Sequence, residues 1–399
     1  MDPRCLALLM LLVASAAFGC SGANANEPTA ADMATGTQAS PQSTGGPATQ
    51  QALVDQPAWL DVAPCDAEGF ECDEPAEAEV TDPAITVHVE SNGYTPGSDV
   101  IVGTFNFQPD QALDPMLYQI GSDGEVKESW RITNKHGGLL GDRRMLPNGN
   151  ILFTIFKDGV YEMNPEGEIV WHYLDRGISH HAEMLPNGNV LAAGIYCDCV
   201  KEIDYETRKP VWEWHAGEAF LDYDNDSVFP GGKTFGQKSA YSTYSRVDMI
   251  KPDSWVHLNS AQLLPNGNYL VSLRNFDLVV EVNREGQIVW SYGPGILKHQ
   301  HTPRVLDDGT LAVFDNGNQR AIVIDRATQA ILWEAEVPEP ATVMGEVNRL
   351  SDGNYKVLSS LASVLRVISP SGEQLWSMTI TTESPSGGIY RAHMPELEN

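Results

Sequence analysis

Leu146-Pro147-Asn148-Gly149-Asn150, Leu185-Pro186-Asn187-Gly188-Asn189 and Leu264-Pro265-Asn266-Gly267-Asn268 are one phrase written three times. Two weaker copies follow, Leu306-Asp307-Asp308-Gly309-Thr310 and Leu350-Ser351-Asp352-Gly353-Asn354. About 23 residues after each glycine a tryptophan closes a short apolar run: Trp171, Trp212, Trp290, Trp333 and Trp376. Trp130 ends one more such run, Gly124 to Trp130, with no phrase before it. The tryptophans stand 41, 41, 78, 43 and 43 residues apart. A fixed period of roughly 40 to 45 residues is that of a four-stranded propeller blade. Asn-Gly and Asp-Gly between apolar residues predict hairpins of the type I′ kind, in which both central residues take positive φ. Six tryptophans imply six blades, and the 78-residue gap is one period plus a long insertion. The expected fold class is therefore all-β, a six-bladed propeller.

The apolar fraction of 42% fits a globular chain with a large core. Ahead of the repeats, Cys5 to Phe18 form an apolar run too short to span a membrane as a helix, and it ends in Ala17-Phe18-Gly19-Cys20. This ending resembles a bacterial lipobox, with residues 1–19 as signal peptide and Cys20 as the lipidated residue. Residues 20–80 read as a disordered tether, rich in Ala, Thr, Gly, Pro, Gln and Ser and then acidic, with too little apolar content to bury anything. Residues 81–399 remain for the propeller. In an exported protein Cys65 and Cys72 would close a small disulfide loop. Cys197 and Cys199 lack two further zinc ligands nearby, so they read as structural or disulfide cysteines. Such a protein would be exported, periplasmic or anchored to the outer membrane, and would meet a membrane only through lipid at Cys20. A net charge of −29 argues against nucleic acid as a partner. An anionic substrate would require positive charge gathered into one pocket.

The fourth repeat places chemistry on strands. His257 to Pro265 reads as the first strand, Asn266-Gly267 as the turn, and Asn268 to Arg274 as the second. If those two residues are the whole loop, facing positions set Arg274 opposite Asn259, with His257 two residues along on the same face. His301 lies seven residues before Asp308, His180 seven before Asn187, and His257 nine before Asn266. These odd steps aim all three at one side of their strands, whereas His181 has the opposite parity. The insertion from Ala216 to Val256 emerges beside His257. Histidines and an arginine from separate blades at one channel mouth make an anion site with nucleophilic capacity.

The string Trp255-Val256-His257-Leu258-Asn259-Ser260, followed by Ser272-Leu273-Arg274-Asn275, resembles the signature of bacterial arylsulfate sulfotransferases. His180-His181-Ala182-Glu183-Met184 resembles their histidine segment before a hairpin. Gln300-His301 with Val313-Phe314-Asp315-Asn316-Gly317 resembles the segment bearing their catalytic histidine. The resemblance implies a six-bladed propeller that moves a sulfuryl group between phenols without a sulfonucleotide, a cofactor or a metal. Its small-molecule partners would be a phenolic sulfate and a phenol. By the same resemblance His301 is the nucleophile that becomes sulfohistidine, and His257 and Arg274 bind sulfate oxygens with Asn259 positioning them. His180 completes the pocket or serves the leaving phenol. His181 stands where relatives often carry an acid and is assigned to substrate binding. The family's domain ahead of the propeller has only Ile85 to Gly103 as a remnant here. Gly231 to Thr234 fails as a phosphate loop because Ser227 holds the place of its first glycine. Asp222 to Asp226 alternates carboxylates like a calcium loop without its sixth-position glycine or twelfth-position glutamate, and reads as a solvated acidic loop. The rival from another class is a non-catalytic propeller lipoprotein serving as an envelope scaffold.

Overall fold

Strict alternation of apolar residues and turn-forming Asn, Gly and Pro leaves this chain one economical solution, antiparallel meanders packed face to face. The computed structural model describes residues 75–106, 115–133, 139–219, 228–229, 233–234, 256–339, 344–382 and 387–398. Expectations that fall on Cys5, Cys20, Cys65, Cys72, Asp222 to Asp226, Gly231, Gly232 and Trp255 lie outside the described residues.

Six antiparallel sheets form six blades. Blade 2 spans Leu140–Met145 to Ile169–Leu174, blade 3 His181–Met184 to Lys209–His215, and blade 4 Leu258–Leu263 to Ile288–Tyr292. Blade 5 spans His301–Val305 to Ile331–Glu336, and blade 6 Gly345–Arg349 to Gln374–Thr382. Blade 1 is assembled from both ends of the chain. Its strands Val100–Asn106, Met116–Ile120 and Val126–Thr133 receive their innermost neighbour from the C-terminus, Gly387–His393. Two further N-terminal strands cover outer edges that would otherwise offer unpaired backbone. Glu77–Val80 pairs with blade 1, where Val80 faces Trp130, and Ile85–Ser91 pairs with blade 6, where Ser91 faces Trp376. Ile85–Ser91 is thus part of blade 6, and Val100–Gly103 is part of the second strand of blade 1, rather than remnants of a separate domain. Of the insertion, a helical turn Ala216–Ala219 and a ribbon of Val228–Phe229 with Lys233–Thr234 are described.

All six punctuating tryptophans lie on the fourth strand of their blades. Their indoles reach across the seams. Nε1 of Trp130 donates to Pro165 O (3.2 Å), Trp171 to Tyr205 O (2.7 Å), Trp212 to Arg284 O (3.0 Å), and Trp290 to Arg326 O (3.3 Å). Trp376 closes the circle by donating to Ser122 O of blade 1 at 3.1 Å. Each acceptor sits in the turn before the next blade's fourth strand. Trp333 alone has a buried Nε1 without a hydrogen-bond partner.

The repeated phrase has its own chemistry. Its two asparagines hold a glutamate on the third strand: Asn150 Nδ2 lies 2.6 Å from Glu162, Asn189 Nδ2 2.7 Å from Glu202, and Asn268 Nδ2 2.6 Å from Glu281. These carboxylates are nearly buried, so unpaired they would cost several kcal/mol. Neighbouring blades complete the shell, with Tyr205 donating to Glu162 at 2.9 Å and Arg284 pairing with Glu202 at 2.8 Å. Blades 5 and 6 carry Val323 and Val367 at the matching third-strand positions, and there the phrase reads Asp308 and Asp352. With no glutamate to hold, the amide donor is not needed.

The turns correct one expectation. Leu264 N–H donates to Asn268 O and Gly267 N–H to Leu264 O, so the loop is the three residues Pro265, Asn266 and Gly267. Only Gly267 has positive φ (+84°). Proline at the first loop position fixes a type I turn, and glycine supplies the left-handed residue that follows. Paired positions in blade 4 therefore sum to one less than a two-residue loop requires.

Replacing Trp376 by Phe should lower unfolding free energy by about 1 kcal/mol more than replacing Trp333 by Phe, because only the first removes a seam hydrogen bond. Urea melts of the two variants check this.

Candidate active site

The innermost strands, Gly387–His393, Leu140–Met145, His181–Met184, Leu258–Leu263, His301–Val305 and Gly345–Arg349, stand around the central axis and pack on one another. Four are bulged on the rim opposite the asparagine turns. Tyr390 and Arg391 oppose Gly103, Gly141 and Asp142 oppose Thr154, and Thr302 and Pro303 oppose Val313. Asn259 is the extra residue between the pairs Leu258–Leu273 and Ser260–Ser272. Arg274 consequently does not face Asn259 but opens a short 3-10 turn, Arg274–Phe276, beyond its strand. Bulges re-aim side chains at such rims, and here they turn polar groups inward.

His180, His257 and His301 meet at this rim. The rings of His180 and His257 are 5.2 Å apart edge to face, and those of His257 and His301 are 6.4 Å apart. Phe156 stacks on His180 at 4.6 Å, and Tyr390 meets it edge-on at 5.3 Å. His180 Nδ1 lies 2.8 Å from Ser179 Oγ. Arg274 lends positive charge to all three, and Arg391 adds to it at His180 and His301.

His301 is the most constrained of the three. Its Nδ1 faces Asn316 Oδ1 at 2.7 Å and the carbonyl oxygen of His299 at 3.2 Å. A carbonyl only accepts, so Nδ1 carries the proton and Nε2 keeps its lone pair. That Nε2 is buried and has no hydrogen-bond partner. Burial, then Arg274 and then His257 hold its pKa well below the ordinary histidine value. Burial likewise depresses His257, with Arg274 adding to it, and depresses His180, with His257 and His301 adding. The trio is neutral at neutral pH.

Asn259 is fully buried and donates from Nδ2 to Gln300 O at 2.9 Å, tying blade 4 to the residue before His301. Its Oδ1 has no partner. His181 is not brought into the trio. It points into the channel, 3.0 Å from Asp142 and 3.1 Å from Arg391 Nη1. Arg391 also pairs with Asp142 at 2.7 Å and donates to Asn259 O at 2.9 Å. Burial opposes the charge on Asp142, but Arg391, Arg144 and His181 outweigh it and hold the carboxyl well below the usual range. Cys197 and Cys199 form a disulfide in the loop between the second and third strands of blade 3. Among the described residues no group of three or more His, Cys, Asp or Glu side chains is arranged to hold a metal ion.

Sequence reasoning missed Arg391, Tyr390, Asp142 and the role of Asn316. Arg391 and Tyr390 lie beyond the last tryptophan, on the strand that closes the ring, and counting blades against strands would have shown that a closing strand was still needed there. Asp142 sits in a bulge, which leaves no mark in the alternation.

The arylsulfotransferase (ASST) family model matches residues 105–297. The chain carries an arylsulfotransferase-family domain. The matched stretch holds His180, His257, Asn259 and Arg274, and ends just before His301. No curated protein matches the chain. Among solved structures, a protein of unknown function from Bacteroides caccae shares 15% identity over 75% of this chain and 98% of its own, with a TM-score of 0.54. That likeness is one of fold. A catalytically inactive virginiamycin B lyase from Staphylococcus aureus shares 11% identity over 74% of this chain and 99% of its own, with a TM-score of 0.46.

The depressed histidines set the sign of a pH effect on stability. Burial also pushes His299 down to about 4 and His393 down to about 3. Below the ordinary value of 6.5 the unfolded chain binds protons that the folded histidines refuse. Their contribution is therefore whole above 6.5 and shrinks as pH falls towards the folded values. Thermal melts should show Tm dropping from pH 7 to pH 5, and His180→Gln should flatten that slope.

Proposed function

We propose that this protein transfers a sulfuryl group from a phenolic sulfate ester to a phenolic acceptor, through a sulfohistidine at His301 and without a sulfonucleotide. The observation that carries the reading is the buried His301 Nε2, whose lone pair is held available by the Nδ1 contacts with Asn316 and His299, beside Arg274 and His257. The family match supports the same class of reaction.

In the first half-step the Nε2 lone pair attacks sulfur, the S–O(aryl) bond breaks, and the phenolate departs with the bonding pair. Sulfuryl transfer spreads negative charge over the equatorial oxygens, much as phosphoryl transfer does. Arg274 offers those oxygens a fixed fork of donors, and His257 lies beside it. A single preorganised donor to a developing oxyanion is worth about 3 to 4 kcal/mol. His180, between Phe156 and Tyr390, is placed to serve the leaving phenol. In the second half-step the acceptor phenol passes its proton to the neutral His180 imidazole and through it to solvent, its oxygen attacks sulfur, and the N–S bond breaks to restore the Nε2 lone pair. Splitting the reaction removes the need for an activated nucleotide donor. That suits an exported protein tethered by lipid at Cys20, which is the location we infer from the N-terminal sequence. A scaffold role gives no reason for converging three neutral histidines and an arginine from three consecutive blades.

Incubation with a chromogenic aryl sulfate and a phenol should give ping-pong kinetics. Donor alone should leave one acid-labile, base-stable sulfuryl group on His301, visible by mass spectrometry of the quenched protein. His301→Ala should lose both label and transfer, and Arg274→Lys should lose about 100-fold or more in kcat. A label on another residue, or full transfer by His301→Ala, overturns the assignment.

A further inference from the structure

Every blade from the second to the sixth places one left-handed residue in the loop between its second and third strands: Lys157, Asp198, Asp277, Gln319 and Ser363, with φ between 45° and 60°. In blade 3 that residue lies inside a disulfide, since Cys197 and Cys199 are bonded on either side of Asp198. We propose that Asp198, set in place by the Cys197–Cys199 bridge, is the positioning residue for His257. The inference rests on reading His257 as a group that binds the transferred sulfuryl.

The contacts are specific. Asp198 Oδ2 accepts from Val256 N–H at 3.0 Å, and Oδ1 accepts from Leu258 N–H at 3.4 Å. The two carboxylate oxygens therefore hold the two amides that flank His257. The carbonyl of Asp198 accepts from Ala216 N–H at 2.9 Å, so one residue ties down both ends of the long insertion. His257 needs this help because its own φ is +53°, a conformation that side chains bearing a Cβ rarely adopt unless their surroundings impose it. Asp198 is itself left-handed (φ +45°), and aspartate is among the few residue types enriched there. A bridge spanning a single residue closes a small ring through that residue's backbone and narrows its choices of torsion. Asp198 is buried and directs its carboxylate at backbone amides, so it acts through His257 rather than on substrate.

Blade 4 uses the same device one step further round. Asp277 Oδ1 accepts from His299 N–H at 2.7 Å, and His299 is also left-handed (φ +50°), two residues before His301. The aspartates thus stand ahead of the two histidine-bearing strands that follow them. The bridge makes the arrangement in blade 3 depend on redox state. A dithiol reductant would give two electrons and two protons to Cys197 and Cys199, closing its own disulfide and leaving two protein thiols. Asp198 would then lose the closed ring that restricts it.

The test uses the full chain with Asp198→Ala, Asp198→Asn and the paired Cys197→Ser/Cys199→Ser variant. Hydrogen exchange followed by mass spectrometry reads the Val256 and Leu258 amides. Kinetics with a chromogenic aryl sulfate and a phenol read transfer. Asp198→Ala should speed exchange of those amides by about tenfold or more. It should lower kcat/KM by about 10- to 100-fold, the scale of a misplaced catalytic group. Asp198→Asn keeps one acceptor and should fall between, and the cysteine pair should exchange faster at the same two amides. In a His257→Ala background Asp198→Ala should cost less than twofold more. Unchanged exchange in folded Asp198→Ala, or losses that multiply in the double variant, overturns the proposal. Should Asp198→Ala fail to melt cooperatively, Asp198→Asn and the cysteine pair carry the exchange measurement: faster exchange at the two amides supports the proposal and unchanged exchange overturns it. If the wild-type protein transfers no sulfuryl group, the proposed function fails while exchange still decides whether Asp198 holds His257.

Discussion

Closing a sheet structure into a ring imposes one demand above the others, that each blade hold the next at a fixed angle with no gap where the chain's two ends meet. The indole N–H of the fourth-strand tryptophan meets it directly. In five of six blades it donates to a carbonyl in the turn before the next blade's fourth strand, and Trp376 makes that bond across the closing seam to Ser122. Tryptophan suits the position because one side chain supplies both a large apolar body for the inter-blade core and a directional donor at its tip. The chain itself also crosses the closing seam, since Gly387–His393 follows the last strand of blade 6 and pairs with Val100–Asn106 of blade 1. Everything at the central axis inherits its placement from this outer ring.

The axis is where ring closure creates a problem. Six innermost strands converge and their inward side chains share a narrow space, and this chain fills much of it with charge: Asp142, Arg143, Arg144, Glu183, Glu346, Lys356, Arg391 and Glu398. Such groups are tolerable only when paired. Lys356 is fully buried and meets Glu346 at 3.1 Å and Glu398 at 2.7 Å, and Asp142 takes Arg391 at 2.7 Å. The Asp142–Arg391 pair joins residues 249 apart in sequence, so the channel is another place where the C-terminal segment is tied to an early blade. Arg391 belongs to both worlds, since it neutralises Asp142 and also holds the backbone of Asn259, two residues beyond His257.

The blade count was legible because tryptophan spacing depends only on the length of a repeat. Convergence of His180, His257 and His301 was legible too, because each begins an innermost strand and the blades bring those starts together. Strand pairing was legible only as far as the turn chemistry was read correctly. Pro265 makes the loop three residues rather than two, and the bulge at Asn259 then absorbs a further residue, so Arg274 leaves the ladder instead of facing Asn259. A bulge is a tertiary compromise between a strand and its inward neighbours, and it leaves the apolar alternation almost unmarked. For the same reason Asp142 and Arg391, both bulge residues, looked like ordinary strand polars. Asp198 was hidden differently, as the middle residue of a short cysteine step whose meaning depends on Val256 arriving beside it from 58 residues away.

The phrase that reveals the fold and the residues that make the site lie at opposite ends of the same strands. The innermost strands of blades 2 to 4 start at a histidine or a bulge on one rim and run to an asparagine turn on the other, as Leu258–Leu263 does between His257 and Pro265. In blades 2 to 4 the turns bind buried glutamates, and the turn geometry repeats because every blade faces the same neighbour relation. The opposite rim has no such uniformity: Asp142, His180, Asn259, Thr302 and Arg391 occupy related places with different chemistry. A strand five or six residues long is enough to separate the two tasks. Stability can then be kept by repetition at one face while the other face is free to assemble a single asymmetric site, and this division is why a repeat protein can carry one such site rather than six.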